Sequence, residues 1–163
     1  MKRFMSFIVC VGIIFQTAFV LPSSVSADSS WWNEGWQWKK KISFNNKDQN
    51  EALVNFPIAV KLNSGTFDFE KAQSSGQDIR FIDSDNLTSL SYEIEKWDSS
   101  AKEAVVWVKV PQINTSTDTD FIYMYYGNPT ATDNQTITSV WESNFVGVWH
   151  LDEDPTVSVS DSS

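Results

Sequence analysis

Three sets of side chains in this sequence have the types and spacing to do chemistry. Glu93 and Glu95 stand two apart in Tyr92-Glu93-Ile94-Glu95; two residues of extended chain cover about 6.6 Å, a separation within reach of the paired carboxylates of glycosidases. Alternating Glu is equally what a half-buried strand presents to solvent, and the solvent face is the expectation here. Asp78, Asp83 and Asp85, with Asn86 beside them, offer the hard oxygens that Ca²⁺ prefers. Their spacing is not that of an EF-hand loop, and turn capping accounts for the same residues. The third set is aromatic. Trp31, Trp32, Trp36, Trp97, Trp141, Tyr123 and Tyr125 are candidates to stack on the apolar faces of sugar rings. Trp38, Trp107 and Tyr92 are expected in the core.

Other chemistries lack their residues. The chain has one cysteine, Cys10, and one histidine, His150. Zinc sites are built mainly from Cys and His, and a serine triad would have only a histidine near the end of the chain to use. His150 is read as structural. No catalytic residue and no cofactor is expected, and Ca²⁺ is the one ion that the three aspartates suggest.

The elements that must position these groups follow from hydrophobic period. Trp36, Trp38, Ile42 and Phe44 alternate with Gln37, Lys39, Lys41 and Ser43, the period-two pattern of a strand with Lys40 as its exception. Strands are also predicted at Phe56–Leu62, Asp78–Asp83, Leu90–Glu95, Ala104–Val110 and Phe121–Tyr126. Pro57 points to an edge position, as does the solvated run Lys39-Lys40-Lys41. Pro111 should stop the fifth strand and Gly127-Asn128-Pro129 the sixth. The segment from Asn63 to Gln77 reads as a loop with one helical turn near Asp68–Gln73. Six or seven short strands with turns about every ten residues argue for an all-β antiparallel sandwich, jelly-roll-like.

The first 27 residues carry only Lys2 and Arg3 as charges, followed by an apolar run and Val25-Ser26-Ala27. This is a signal-peptide pattern, with cleavage expected after Ala27. The run is too short and interrupted for a stable membrane span. Removing residues 1–27 takes Cys10 away, so no disulfide or thiol chemistry is expected in the exported chain. It also turns a net charge of −9, from 12 basic and 21 acidic residues, into 10 against 21, or −11. Such a balance excludes nucleic acid as a natural partner. A secreted, extracellular or envelope location is expected.

Six blocks in order, among them Asn55-Phe56-Pro57-Ile58-Ala59-Val60-Lys61-Leu62, Gly76-Gln77-Asp78-Ile79-Arg80-Phe81, Val106-Trp107-Val108-Lys109-Val110-Pro111 and Ile122-Tyr123-Met124-Tyr125-Tyr126-Gly127-Asn128, resemble the domain of unknown function DUF2341 over residues 31–143. The resemblance implies a β-sandwich module of exported, often multidomain prokaryotic proteins, and it supplies no catalytic residues. From Asn144, the run Phe145-Val146-Gly147-Val148-Trp149-His150-Leu151 with Asp161-Ser162-Ser163 is similar to the opening of a concanavalin-like laminin-G domain. The expected organisation is a signal peptide at 1–27, a sandwich at 28–143, and at 144–163 either the start of a second domain in a longer surface protein or a last strand of the first. The expected function is noncatalytic binding or adhesion, to polysaccharide or another surface protein. The alternatives are a structural spacer and, least favoured, a glycoside hydrolase.

Overall fold

A computed structural model of the chain describes residues 31–141 and 147–148. The signal-peptide segment, His150 and nearly all of the expected second-domain start lie outside the described residues. No helix among the described residues is long and apolar enough to cross a membrane.

The chain is all-β. Strands β1 (Trp38–Ser43), β2 (Leu53–Asn63), β3 (Arg80–Asp83), β4 (Tyr92–Asp98), β5 (Glu103–Ile113) and β6 (Phe121–Tyr126) are followed by a single turn of helix, α1 (Ile137–Val140), and a 3₁₀ turn at Phe69–Lys71 sits between β2 and β3. That turn falls inside the loop where one helical turn was expected. Two antiparallel three-stranded sheets form, in the orders β1-β6-β3 and β2-β5-β4. The pairing is nested: β1 lies with β6 and β2 with β5, and the bend of the ribbon is closed by the bridge Ile82↔Ser89 between β3 and the approach to β4. Winding such a ribbon on itself brings β3 onto β6 and β4 onto β5, a six-stranded form of jelly-roll folding.

Strand alternation builds the core. Val106, Val108 and Val110 of β5, Ile122 and Met124 of β6, and Phe81 and Tyr92 are all at most 1 % exposed. Removing side chains of this kind from water supplies about 1.5–3 kcal/mol each, the term that holds two three-stranded sheets together without a disulfide. Both expected edge strands are edges. Pro57 lies in β2, where a missing donor is tolerated. Lys40 points to the inner side of β1 and carries its ammonium out to the Thr66 carbonyl, 2.7 Å away, which explains the exception in the alternation.

Three expectations are corrected. Pro111 does not end β5, which continues to Ile113. Pairing with β4 stops at Tyr92↔Val108, so Pro111 lies where β5 has a single neighbour. Phe56, in the predicted strand Phe56–Leu62, shares the parity of buried Val60 and Leu62 that alternation would place in the core but is 44 % exposed, because eleven-residue β2 runs on beyond the opposite sheet, whose β1 has six residues. Trp38, expected in the core, is 40 % exposed. It has the inward parity of Ile42 but stands at the first position of its strand, on the rim of the sandwich.

Candidate functional site

Parity places the aromatic candidates. On β6, Ile122 and Met124 turn inward, so Phe121, Tyr123 and Tyr125 turn outward. Register then sets Lys39 and Arg80 beside Tyr125, Lys41 and Ile82 beside Tyr123, and Ser43 beside Phe121. The outer face of the β1-β6-β3 sheet is therefore a row of three rings flanked by cations. Trp31, Trp32 and Trp36, from the segment before β1, fold over one end of it. Trp31 meets Tyr125 edge-on at 5.3 Å, Trp32 lies 5.0 Å from Trp36 and 5.7 Å from Tyr125, and Tyr123 continues the row 6.4 Å from Tyr125.

Hydrogen bonds fix this arrangement. The Trp31 indole donates to the Trp36 carbonyl, the Trp36 indole to the Asp78 carbonyl, and the Trp32 backbone N–H to the Tyr125 hydroxyl. The Tyr125 hydroxyl donates in turn to Asn86, whose buried side-chain nitrogen has no partner among the described residues. The lysines lie over the rings. The Lys39 ammonium is 4.5 Å from the Tyr123 ring centre and 5.1 Å from that of Trp31, and the Lys41 ammonium is 3.8 Å from Phe121. Such contacts are worth about 0.5–1 kcal/mol at exposed sites. Lys41 is exposed, while Trp31, Trp32, Trp36, Phe121 and Tyr123 are half-buried.

Five of the seven aromatic candidates thus converge on one face: Trp31, Trp32, Trp36, Tyr123 and Tyr125. Tyr125 lies beneath Trp31 and Trp32 at 0 % exposure. Trp97 lies elsewhere, half-buried against Phe67 and Phe69. Trp141 lies over the opposite sheet, 8 % exposed and packed on Trp107 at 5.3 Å.

Glu93 is not on a solvent face. It is 5 % exposed, because α1 and Trp141 cover the outer side of β4, and the Trp141 indole donates to its carboxylate at 2.9 Å. Glu95 is the extra residue of a bulge between Ile94 and Lys96, and it accepts from the Trp107 indole. Sequence alternation reads both as solvent-facing, but the indole over Glu93 comes from 48 residues away and the one that meets Glu95 from 12 residues away on the neighbouring strand.

The aspartates have other partners. Asp78 is fully buried; one oxygen accepts from the Gln73 amide and the other from the amides of Gly127 and Asn128. Asp83 accepts from the Ser84 amide. Asp85 caps a turn, and the Thr88 hydroxyl, then the Thr88 and Leu87 amides, hold its carboxyl below the ordinary value. No group of three or more such side chains that could hold a metal ion is found among the described residues.

Sequence reasoning also assigned Trp38 to the wrong environment. Its ring leans on Gly127, where an added Cβ would lie 2.4 Å from the indole Cδ1, and the Lys71 ammonium stands 3.9 Å from the ring centre. Gln37, Glu70, Gln73 and Pro129 complete a cleft of about 400 Å³ there. The available signal was position: a large ring at the first residue of an edge strand, opposite a Tyr-Gly terminus, has no second sheet above it.

No match is found among curated proteins or among solved structures. Residues 75–154 match the family model of DUF2341, a domain of unknown function, and the matched span runs past residue 143, where a boundary was expected.

Proposed function

We propose that this protein is a noncatalytic binding module of an exported surface protein, directed at carbohydrate. The observation that carries the reading is the outer face of the β1-β6-β3 sheet, where half-buried Trp31, Trp32, Phe121 and Tyr123 lie side by side with lysines over them. Sugar rings offer C–H faces to such a surface and hydroxyls to the polar groups at its margin. The state of Glu93 and Glu95 supports a noncatalytic role: each carboxylate already accepts an indole N–H, and one of them is buried.

Affinity electrophoresis and a glycan array test the reading. Retention by at least one polysaccharide, weakened by Tyr123→Ala and Trp31→Ala in folded protein, is expected. Retention by none would leave the spacer as the better account. That alternative has its own support, since the rings pack on one another and Tyr125 beneath them is fully covered.

A further inference from the structure

Trp38 combines two features that folding does not call for. It is 40 % exposed at the first residue of an edge strand, where Thr would serve the strand as well. Its seat is kept clear by Gly127 at φ +86°, where a Cβ would come within 2.4 Å of the indole Cδ1 and 3.2 Å of its Nε1. The ring forms one wall of the cleft of about 400 Å³ at the rim of the sandwich. Part of the lining is fixed: the Asp78 carboxylate accepts three backbone amides, and the Gln73 side chain donates to the Asn128 and Ala131 carbonyls. The side chains of Gln37, Glu70 and Lys71, which also line it, are exposed. An aromatic wall on a fixed floor, with a few polar groups at the mouth, is the form of a small-molecule site, and the volume lies in the range of such sites.

The polar groups select the ligand. A carboxylate such as Glu70 only accepts, an ammonium such as Lys71 only donates, and the Gln37 amide does both. Glu70 Oε1 lies 3.2 Å from the Lys102 ammonium, and Lys71 Nζ lies 3.4 Å from Asp68 and 3.9 Å from the Trp38 ring centre. Both signs of charge therefore stand at the mouth, so an anion is opposed by Glu70 and Asp68 and a cation by Lys71. A hydroxyl donates and accepts, so adjacent hydroxyls on one ring serve Glu70 and Lys71 together, while the apolar C–H face of that ring meets the indole. The Lys71 ammonium is carried on a flexible four-carbon stem, which lets it turn from the indole to a hydroxyl at the ring margin. We infer that this cleft is a second sugar site, taking one neutral pyranose ring stacked on Trp38 with its hydroxyls bonded to Glu70, Lys71 and Gln37. The site goes beyond the carbohydrate reading of the outer face, since neither Trp31 nor Tyr123 is among the described residues that line it.

The test is an NMR titration of the folded protein with the methyl glycosides of glucose, galactose and mannose, followed at the Trp38 indole N–H and the Gly127 amide, with near-UV circular dichroism to establish folding of each variant. A saturable shift with at least one glycoside is expected, half-complete on the order of 1–10 mM. Trp38→Ala should weaken binding, read at the Gly127 amide, about tenfold. Glu70→Gln and Lys71→Gln, both at exposed positions, should each weaken it about threefold, and they keep the test decisive if Trp38→Ala loses its fold. Phe56→Ala, which removes a ring of similar exposure from the other sheet, should leave it unchanged. Glucuronate, which brings a carboxylate towards Glu70, should bind more weakly than the neutral glycosides. Equal or tighter binding of glucuronate would overturn the neutral assignment. No saturable shift with any of the three at about 100 mM would overturn the site, as would equal weakening by Phe56→Ala. Shifts confined to Trp31 and Tyr123 would also overturn it and leave the outer-face reading standing. Shifts at Trp38 without polysaccharide retention that depends on Trp31 or Tyr123 would support this site and defeat the outer face instead.

Discussion

Replacing Asp78 tests whether the aromatic outer face of the β1-β6-β3 sheet is held from below. The carboxylate is fully buried and takes three backbone amides: Gln73 at 2.9 Å, Gly127 at 2.7 Å and Asn128 at 3.1 Å. It thereby ties the loop before β3 to the end of β6, and its own carbonyl accepts the Trp36 indole. Asp78→Ala would leave three donors buried with no acceptor. Each lost hydrogen bond to a charged group is worth about 1.5–3 kcal/mol. The sum overstates the loss, because burying the carboxylate costs free energy that the variant recovers. A net destabilisation of about 3–5 kcal/mol is the expected result. Asp78→Asn keeps one acceptor oxygen, which can serve Gly127 and Asn128, but aims an NH₂ at the Gln73 amide; about 2 kcal/mol is expected. Urea unfolding followed by tryptophan fluorescence measures both, and the Trp36 indole N–H resonance reports the local effect. If Asp78→Ala costs less than about 1 kcal/mol, or if Asn is worse than Ala, the carboxylate is not the anchor described.

Further outcomes are expected elsewhere. Gly127→Ala must place a Cβ 2.4 Å from the Trp38 ring at φ +86°; the left-handed conformation alone costs about 1–2 kcal/mol, and Trp38 should become more accessible to iodide quenching. Trp141→Ala removes the ring covering Glu93 and the partner of Trp107, and a loss of about 3 kcal/mol is expected in thermal unfolding. Burial pushes the Tyr92 hydroxyl above its usual value of 10.0. Because the folded value is the raised one, the stabilisation is complete below pH 10 and is lost as pH rises through the folded value. Tyr92→Phe should flatten the fall of stability above pH 10, and an unchanged slope would show that Tyr92 ionises equally in both states. It should also cost about 1 kcal/mol at neutral pH, since the hydroxyl accepts from Arg80 and donates to the Ile79 carbonyl.

What could be read from the sequence was what depends on neighbours along the chain. The apolar runs Ala104–Val110 and Phe121–Tyr126 were legible as strands and both are strands, because strand formation there depends on the residues of the run itself. Pro57 marked an edge for the same local reason. The failures are nonlocal. Glu93 was read as solvated since nothing near it shows that α1 and Trp141 return over β4. Glu95 sits in a bulge that periodicity does not encode. Trp38 and Phe56 have the inward parity expected of core residues and are exposed because the opposite sheet does not reach them, a fact about relative strand length. Asp78 was read as a metal ligand or a local cap, whereas its three donors include two from the far end of β6. The convergence of Trp31, Trp32 and Trp36 on Tyr125 was equally hidden, since β1 and β6 are paired across most of the chain.

The two outer faces of the sandwich are finished in different ways, and the difference bears on what the protein is for. Over β4 and β5 the chain supplies its own cover: Val140 and Trp141 are buried, and the Glu93 carboxylate is satisfied by an indole. Over β6 the described residues that supply cover are Trp31 and Trp32, and Tyr123 and Phe121 are half-buried beneath lysine stems. The core does not require those two rings, for Ile122 and Met124 already fill the inner side of the same strand at 0 % exposure. A spacer would be served as well by Thr or Ser at both positions, which keep strand propensity without leaving apolar area in water. Tyr123→Thr and Phe121→Thr should therefore cost folding stability only modestly, about 1 kcal/mol each from lost cross-strand and cation–π contacts, while abolishing glycan retention. A large loss of stability instead would assign the rings to the fold and return the face to the spacer reading.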